Sequence, residues 1–426
     1  MSVVNEMLKD IPIPRMVKVR QHFDESCIDN IPDALRNELS RDAISRLIRP
    51  GMRIAITAGS RGIDNIALII RELVGFLKEK GAVPFVIPDM GSHGGATVPG
   101  QLAILESFGI VEDFIGCPIL ATMETVCIGN LEDGRPILID KYAAEAEGII
   151  PLGRIKPHTA FRARYESGVM KMMAIGLGKQ QGAEVCHKAG ILHLAENVEQ
   201  FAFGILEHAK ILFGVGLVEN AFDKTAVIRA MTKEEIPQLE PELLELAKSK
   251  MARILIDQTD VLVVDEIGKN ISGEGMDPNI AGRWIVPHIK SGIDATRVAI
   301  LDLTDESQGN ATGLSMADVC SRRAMEKMDT EATYPNSLTS TVTILSGIPM
   351  YFDNHRYTIQ AAIQMTPGRS PREITMIRIK NTLELGVIQV SENLLEQIGQ
   401  IPDAEIIGEL SYLLQQIFRH LDYTQL

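Results

Sequence analysis

Between residues 52 and 108, apolar runs alternate with amphipathic ones, and no other feature restricts the fold as much. MRIAITAG (52–59) reads as a buried strand that stops at Ser60-Arg61-Gly62. Helical periodicity follows over about 63–80, with Ile66, Ile69, Ile70, Leu73, Phe76 and Leu77 on one face. VPFVIP then starts a second strand that opens into Gly91-Ser92-His93-Gly94-Gly95, and the spacing predicts another helix over about 98–108. Strand and helix joined alternately by short connections require a parallel sheet wrapped by helices. Both polar loops then fall at strand C-terminal ends, the edge where open sheets of this kind bind ligands.

The same grammar resumes later. Strands are expected at about 125–129, 136–140, 210–220 and 224–231, with helices at about 31–48, 191–209 and 232–252. A second α/β pattern begins with TDVLVVDEIGKN (259–270). It continues with strands at 297–302, 341–345, 373–379 and 386–390 and helices at about 315–327 and 355–365. A chain of 426 residues is long for one core. The expected architecture is therefore α/β: two α/β domains with mostly parallel sheets flanked by helices, and an active site in the cleft between them. Residues 1–255 would form the N-terminal, cofactor-binding domain, with the closing segment 404–426 packing back on it, and residues 256–403 the C-terminal domain.

Composition narrows the partners. Net charge is −14, and so acidic a surface repels phosphate backbones, which argues against nucleic acid and anionic membranes. Five scattered cysteines without a CxxC pair fit a reducing compartment. The opening MSVVNEMLKDIPIPRM lacks the basic and apolar regions of a secretory signal, and no apolar run approaches the ~20 residues of a membrane span. A cytoplasmic protein is expected.

The chemistry gathers between Ile149 and Gly190. An apolar run, Gly148-Ile149-Ile150-Pro151-Leu152, breaks at Gly153 into a turn with Lys156, Pro157 and His158. Lys171 then sits among Met170, Met172 and Met173, where an unpaired ammonium is costly to bury. Such a lysine is paired, covalently modified or reactive; spacing alone favours one that snorkels from an amphipathic helix. His93, His158 and His187 all lie in or beside glycine-rich or strand-end loops, and imidazole titrates near neutrality. There is no HExxH, GxSxG, GxGxxG or P-loop, and GLGKQQG (176–182) with Lys179 reads equally as a turn before a helix or as a phosphate contact. The residues by themselves define an α/β enzyme with two or three working histidines, an unusual lysine and a strand-end arginine, Arg61.

Five segments in order resemble the nickel-dependent lactate racemase family: SHGGAT (92–97), IKPHT (155–159), the interval from Lys171 to His187, NISGEGMDPNIAGR (270–283), and YPNSLTSTVTILSGIPMYFDNHRYTIQAAI (334–363). The resemblance implies a racemase or epimerase of a small 2-hydroxy acid. It also implies a nickel-pincer nucleotide, a pyridinium-3-thioamide-5-thiocarboxylic acid mononucleotide holding nickel, made by separate cofactor-synthesis enzymes. Lys171 matches the lysine that tethers this group, and His187, sixteen residues on, matches the nickel ligand. His93 and His158 match the acid and base, and Arg61 matches the arginine that holds the substrate carboxylate. As a thioamide the tethered lysine carries no charge, which explains its methionine-rich setting.

The chain departs from the family at two points. Its first loop reads Ala58-Gly59-Ser60-Arg61 where the family has Asp-His-Thr-Arg, and residues 273–278 hold no lysine where lactate racemases place a second cation. Lys269 and Arg283 are the nearest cations, and Trp284 is a candidate pocket wall. A substrate other than lactate is expected. Two other readings share these residues: a non-catalytic protein that holds a nickel nucleotide or small acid, and a zinc-dependent α/β hydrolase or lyase.

Overall fold

The computed structural model describes residues 3–412. The chain divides into two compact units, Asp24–Met251 and a second made of the residues up to Phe23 with those from Ala252 onward.

In the Asp24–Met251 unit, Val83–Pro88, Arg53–Ala58 and Gly148–Ile150 form a parallel sheet in that order. After Pro151 the chain continues as Leu152–Arg154, parallel to Phe213–Glu219, which in turn pairs antiparallel with Thr225–Thr232. The central parts of these strands are largely apolar because both faces are covered. Ile54 and Ile56 pack with Ile69, Ile70 and Leu73 of the helix Ile66–Glu79. Ala55, Phe85 and Ile149, pointing the other way, pack with Met170, Met173 and Phe201. That face of the sheet thus packs in one core with the segment that carries Lys171.

Among the described residues the second unit holds a nine-stranded sheet. Met350–Phe352, Val319–Ser321, Asp294–Leu303, Gln258–Ile267 and Met376–Ile379 run parallel in that order. Val387–Ser391, Arg15–Gln21 and Ala404–Ile406 extend it antiparallel. Two α/β units with mostly parallel sheets are therefore present, as the alternation of runs requires.

The domain limits need correction. Arg15–Gln21 belongs not to the first α/β pattern but to the second, pairing Met16 with Ser391 and Val19 with Ile388. The closing segment does not return to the first unit in its described part: Ala404–Ile406 and Ser411–Tyr412 both pair with Arg15–Gln21, and residues 413–426 lie outside the described residues. Two elements also differ from expectation. The helix expected at 315–327 is a buried strand, Val319–Ser321, then a helix, Arg322–Glu326, that starts late because the Ser321 hydroxyl caps the Ala324 amide at 3.1 Å. The strand expected at 341–345 is a 3₁₀ turn, Thr343–Ser346, whose Ile344 is 56% exposed. An apolar run that short decides nothing without a pairing partner. Among the described residues no helix is long and apolar enough to cross a membrane.

Candidate functional site

Lys171 ends a single helical turn, Val169–Lys171, that runs straight into a π-helical turn, Met172–Gly176. The Leu177 amide closes that turn by donating to the Met172 carbonyl at 3.0 Å. Such widened turns are rare and concentrate at functional positions. Two glycines let it sit where it does. A side chain at Gly176 would overlap the Asp89 carboxyl at the end of the Val83–Pro88 strand, and one at Gly168 would overlap the carboxyl of Glu240. The Gly91 amide reaches the Gly176 carbonyl at 3.2 Å, so the loop leading to His93 is bonded to the same turn. Glu240, from the helix Ile236–Lys250, accepts the Met170 amide at 3.0 Å and fixes the turn from below.

His158 is held differently. Lys156 and Ser167 exchange backbone hydrogen bonds at 3.0 and 3.2 Å, closing the loop between them. Inside it, the buried carboxylate of Glu166 accepts the His158 amide at 2.7 Å and pairs with Arg162 and Lys248 at 3.1 Å each. Arg162 also donates to the His158 carbonyl at 2.8 Å. The ring stacks on Phe161, centroids 4.1 Å apart and planes 20° from parallel, and its Nδ1 accepts the Ala160 amide at 2.9 Å. His93 is exposed at the opposite loop, its Nδ1 hydrogen-bonded to the Ser60 hydroxyl.

The electrostatics tie these pieces together. Burial, and next the charge of Arg61, lower Lys171 to about 8. Burial and the charge of Lys171 lower His187 to about 4. Burial drives His158 well below its ordinary value, helped by the charges of Lys171, His187, Lys156 and Arg162. Arg61 itself is lowered by the crowding of its guanidinium and by Arg154, although the residue as a whole is exposed. Lys171 is therefore the common neighbour of Arg61, His158 and His187, and Ser60 joins His93 to the same loop as Arg61. Asp89, buried beneath, is raised to about 7, chiefly by burial.

These groups suit a tethered metallated nucleotide. An amine lowered to about 8 is partly neutral at physiological pH and hence nucleophilic, and an imidazole at about 4 is neutral and free of a competing proton. Among the described residues no three His, Cys, Asp or Glu side chains come together to hold a metal ion. A metal bound through His187 would need most of its ligands from outside these side chains.

Lys179, expected as a cofactor contact, does not join the cluster. Lys179 is fully buried, its ammonium 2.8 Å from Asp140 and bonded to the Pro88 carbonyl, so it braces the core and is not a cofactor contact. Lys269, Arg283 and Trp284 lie in the other unit. Lys269 donates to the Gly273 carbonyl at 2.6 Å, Arg283 pairs with Asp318 at 2.6 Å, and the Trp284 indole donates to the Ser291 carbonyl at 2.9 Å. Three carboxyls escape sequence reading. Glu166 and Glu240 occur in charged stretches that look solvated, and only Asp89, directly after an apolar strand, carried a positional signal.

Residues 13–199 match the family model of the lactate racemase N-terminal domain. Among solved structures, the lactate racemase apoprotein from Thermoanaerobacterium thermosaccharolyticum is similar at 15% identity and a TM-score of 0.54, covering 87% of this chain and 99% of that one. At that identity the likeness concerns the fold. No curated protein sequence matches the chain. Residues 13–199 are thus similar to the lactate racemase N-terminal domain, and the chain as a whole shares the fold of a lactate racemase.

Proposed function

We propose that the protein is an isomerase, a racemase or epimerase of a 2-hydroxy acid, that works with a nickel-pincer nucleotide joined to Lys171. The observation that carries this reading is the convergence of Lys171, His187, His158 and Arg61 on one electrostatically coupled site. When bound, the group supplies a hydride acceptor, which suits a C2–H that is barely acidic. The chain supplies the rest. The Lys171 amine forms the tether and loses its charge in doing so, which removes the cost of burying it. His187 offers a neutral imidazole, a suitable nickel ligand. Arg61 matches a substrate carboxylate with its bidentate fork. His93 and His158 handle the hydroxyl proton.

The altered first loop and the missing lysine at 273–278 remove polar groups that a lactate site would use, which supports a different 2-hydroxy acid. The enzymes that make the cofactor are the expected partners. The test is intact mass and metal content of protein made together with them, followed by incubation with single enantiomers of several 2-hydroxy acids. An added nucleotide mass, nickel and racemisation are expected. Unmodified mass without nickel would overturn the reading, and nickel without turnover of any acid would leave a carrier.

A further inference from the structure

Asp89 is a buried carboxyl that the proposed reaction does not use. It follows Pro88, the last residue of the strand Val83–Pro88, and is fully buried. Neither carboxyl oxygen has a hydrogen-bond partner of ordinary geometry among the described residues, which is rare for a group so costly to bury. The Thr57 hydroxyl, which accepts the Leu152 amide at 3.1 Å, lies close enough to favour the carboxylate. The Asp89 amide donates to the Ala58 carbonyl at 2.7 Å, the end of the strand that leads to Arg61. Its Oδ1 lies against Gly176, in the π-helical turn that begins beside Lys171, so that no side chain fits there. Few charges reach this carboxyl. Lys179 and Asp140 form a pair of their own at 2.8 Å, and their fields on Asp89 oppose one another. Beyond that pair, Lys171 is the cation that acts on it. Seen from Lys171, Arg61 and Lys156 repel the ammonium, Cys186 is a buried thiol, and Asp89 is the carboxyl that favours the charge.

We propose that Asp89 is the charge-compensating residue of the Lys171 site: a carboxylate while Lys171 is an ammonium, and a carboxylic acid once Lys171 is the uncharged tether. This rests on the tether at Lys171 proposed above. Asp89 gains one proton as the site loses one positive charge, so the net charge of the interior stays the same. With Lys171 charged, an ionised Asp89 brings the interior nearest to neutrality; with Lys171 uncharged, a protonated Asp89 does so. Neither form of the protein then buries a lone charge beneath the turn. Burial holds Asp89 at about 7, where a change of one neighbouring charge decides its state.

The test reads the carboxyl directly. Carbon-13 NMR of apoprotein labelled at its aspartate carboxyls, with the Asp89 signal assigned by its loss in Asp89→Asn, is expected to give a titration midpoint near 7. In Lys171→Met, which removes the charge as the tether would, that midpoint should rise by about one pH unit or more. The effect is reciprocal: in Asp89→Asn the Lys171 amine loses its favourable neighbour, and its labelling by an amine-selective reagent at neutral pH should rise about tenfold. An Asp89 midpoint that stays in place in Lys171→Met would overturn the proposal. So would unchanged Lys171 labelling in Asp89→Asn, a variant of the same shape that keeps the lysine and decides the matter even if Lys171→Met does not fold. Protein carrying the nucleotide should keep Asp89 protonated across the neutral range. An ionised Asp89 there sinks this proposal alone, whereas coupling in a protein that never acquires the nucleotide mass sinks the functional reading instead.

Discussion

Glu240 accepts the backbone amide of Met170 at 3.0 Å, so a carboxyl from a neighbouring helix sets the position of the turn that presents Lys171. Removing it in Glu240→Ala leaves buried amides unsatisfied and should cost about 1–3 kcal/mol by denaturant unfolding. Glu240→Gln, of the same shape, should lose less. Both should slow nucleotide attachment, read as the modified fraction by mass spectrometry.

Stability should fall as pH rises through neutrality. Burial raises Asp89 to about 7 and Glu240 to about 8, both above their ordinary carboxylate values. The folded state therefore holds these protons more tightly than the unfolded chain. Their contribution is complete below the unfolded carboxylate range and is lost as pH climbs through 7 to 8. Thermal melts between pH 5 and 9 should show Tm declining over that window, and the decline should flatten in Asp89→Asn with Glu240→Gln. A Tm that rises across the window would contradict the assignment.

Lys171 should react as an unusually acidic amine. With its value lowered to about 8, attack on an amine-selective reagent at limiting concentration should reach half its maximal rate near that pH. Surface lysines, at ~10.4, should lag well behind. Peptide mapping of the labelled apoprotein measures the difference, and equal labelling of Lys171 and the surface lysines would contradict it. Lys171→Ala should carry neither nucleotide nor nickel, whereas His187→Ala should gain the nucleotide mass and lose nickel.

Lys179 should behave as a structural residue. Lys179→Met leaves the buried Asp140 carboxylate without its cation and should destabilise the unit by about 3–5 kcal/mol. Lys179→Met combined with Asp140→Asn should recover part of that loss in a urea titration. A Lys179→Met protein of unchanged stability but weakened nucleotide binding would restore the cofactor-contact role.

The α/β class, the strand ends and the candidates Lys171, His187, His158 and Arg61 could be picked out along the chain because each depends on local order: an apolar run, a glycine break, a polar residue after it. The strand Arg15–Gln21 was not, since its partners Val387–Ser391 and Ala404–Ile406 lie more than 360 residues away and no local pattern announces them. Lys179 misled for a related reason. A lysine in a glycine-rich segment looks like a phosphate ligand until Asp140, 39 positions earlier, is found 2.8 Å from it.

Which residues are candidates for chemistry, and in what order, follows from the sequence, because residue type and spacing limit what a side chain can do. How each of them is held, and in what surroundings, was decided by tertiary structure. Burial and neighbouring charge lower Lys171 and His187, the Ala160 amide donates to Nδ1 of His158, and Glu166 and Glu240 hold the loops in place. Proton affinity and hydrogen-bond direction depend on groups that are close in space, and closeness in space is what a linear pattern does not contain.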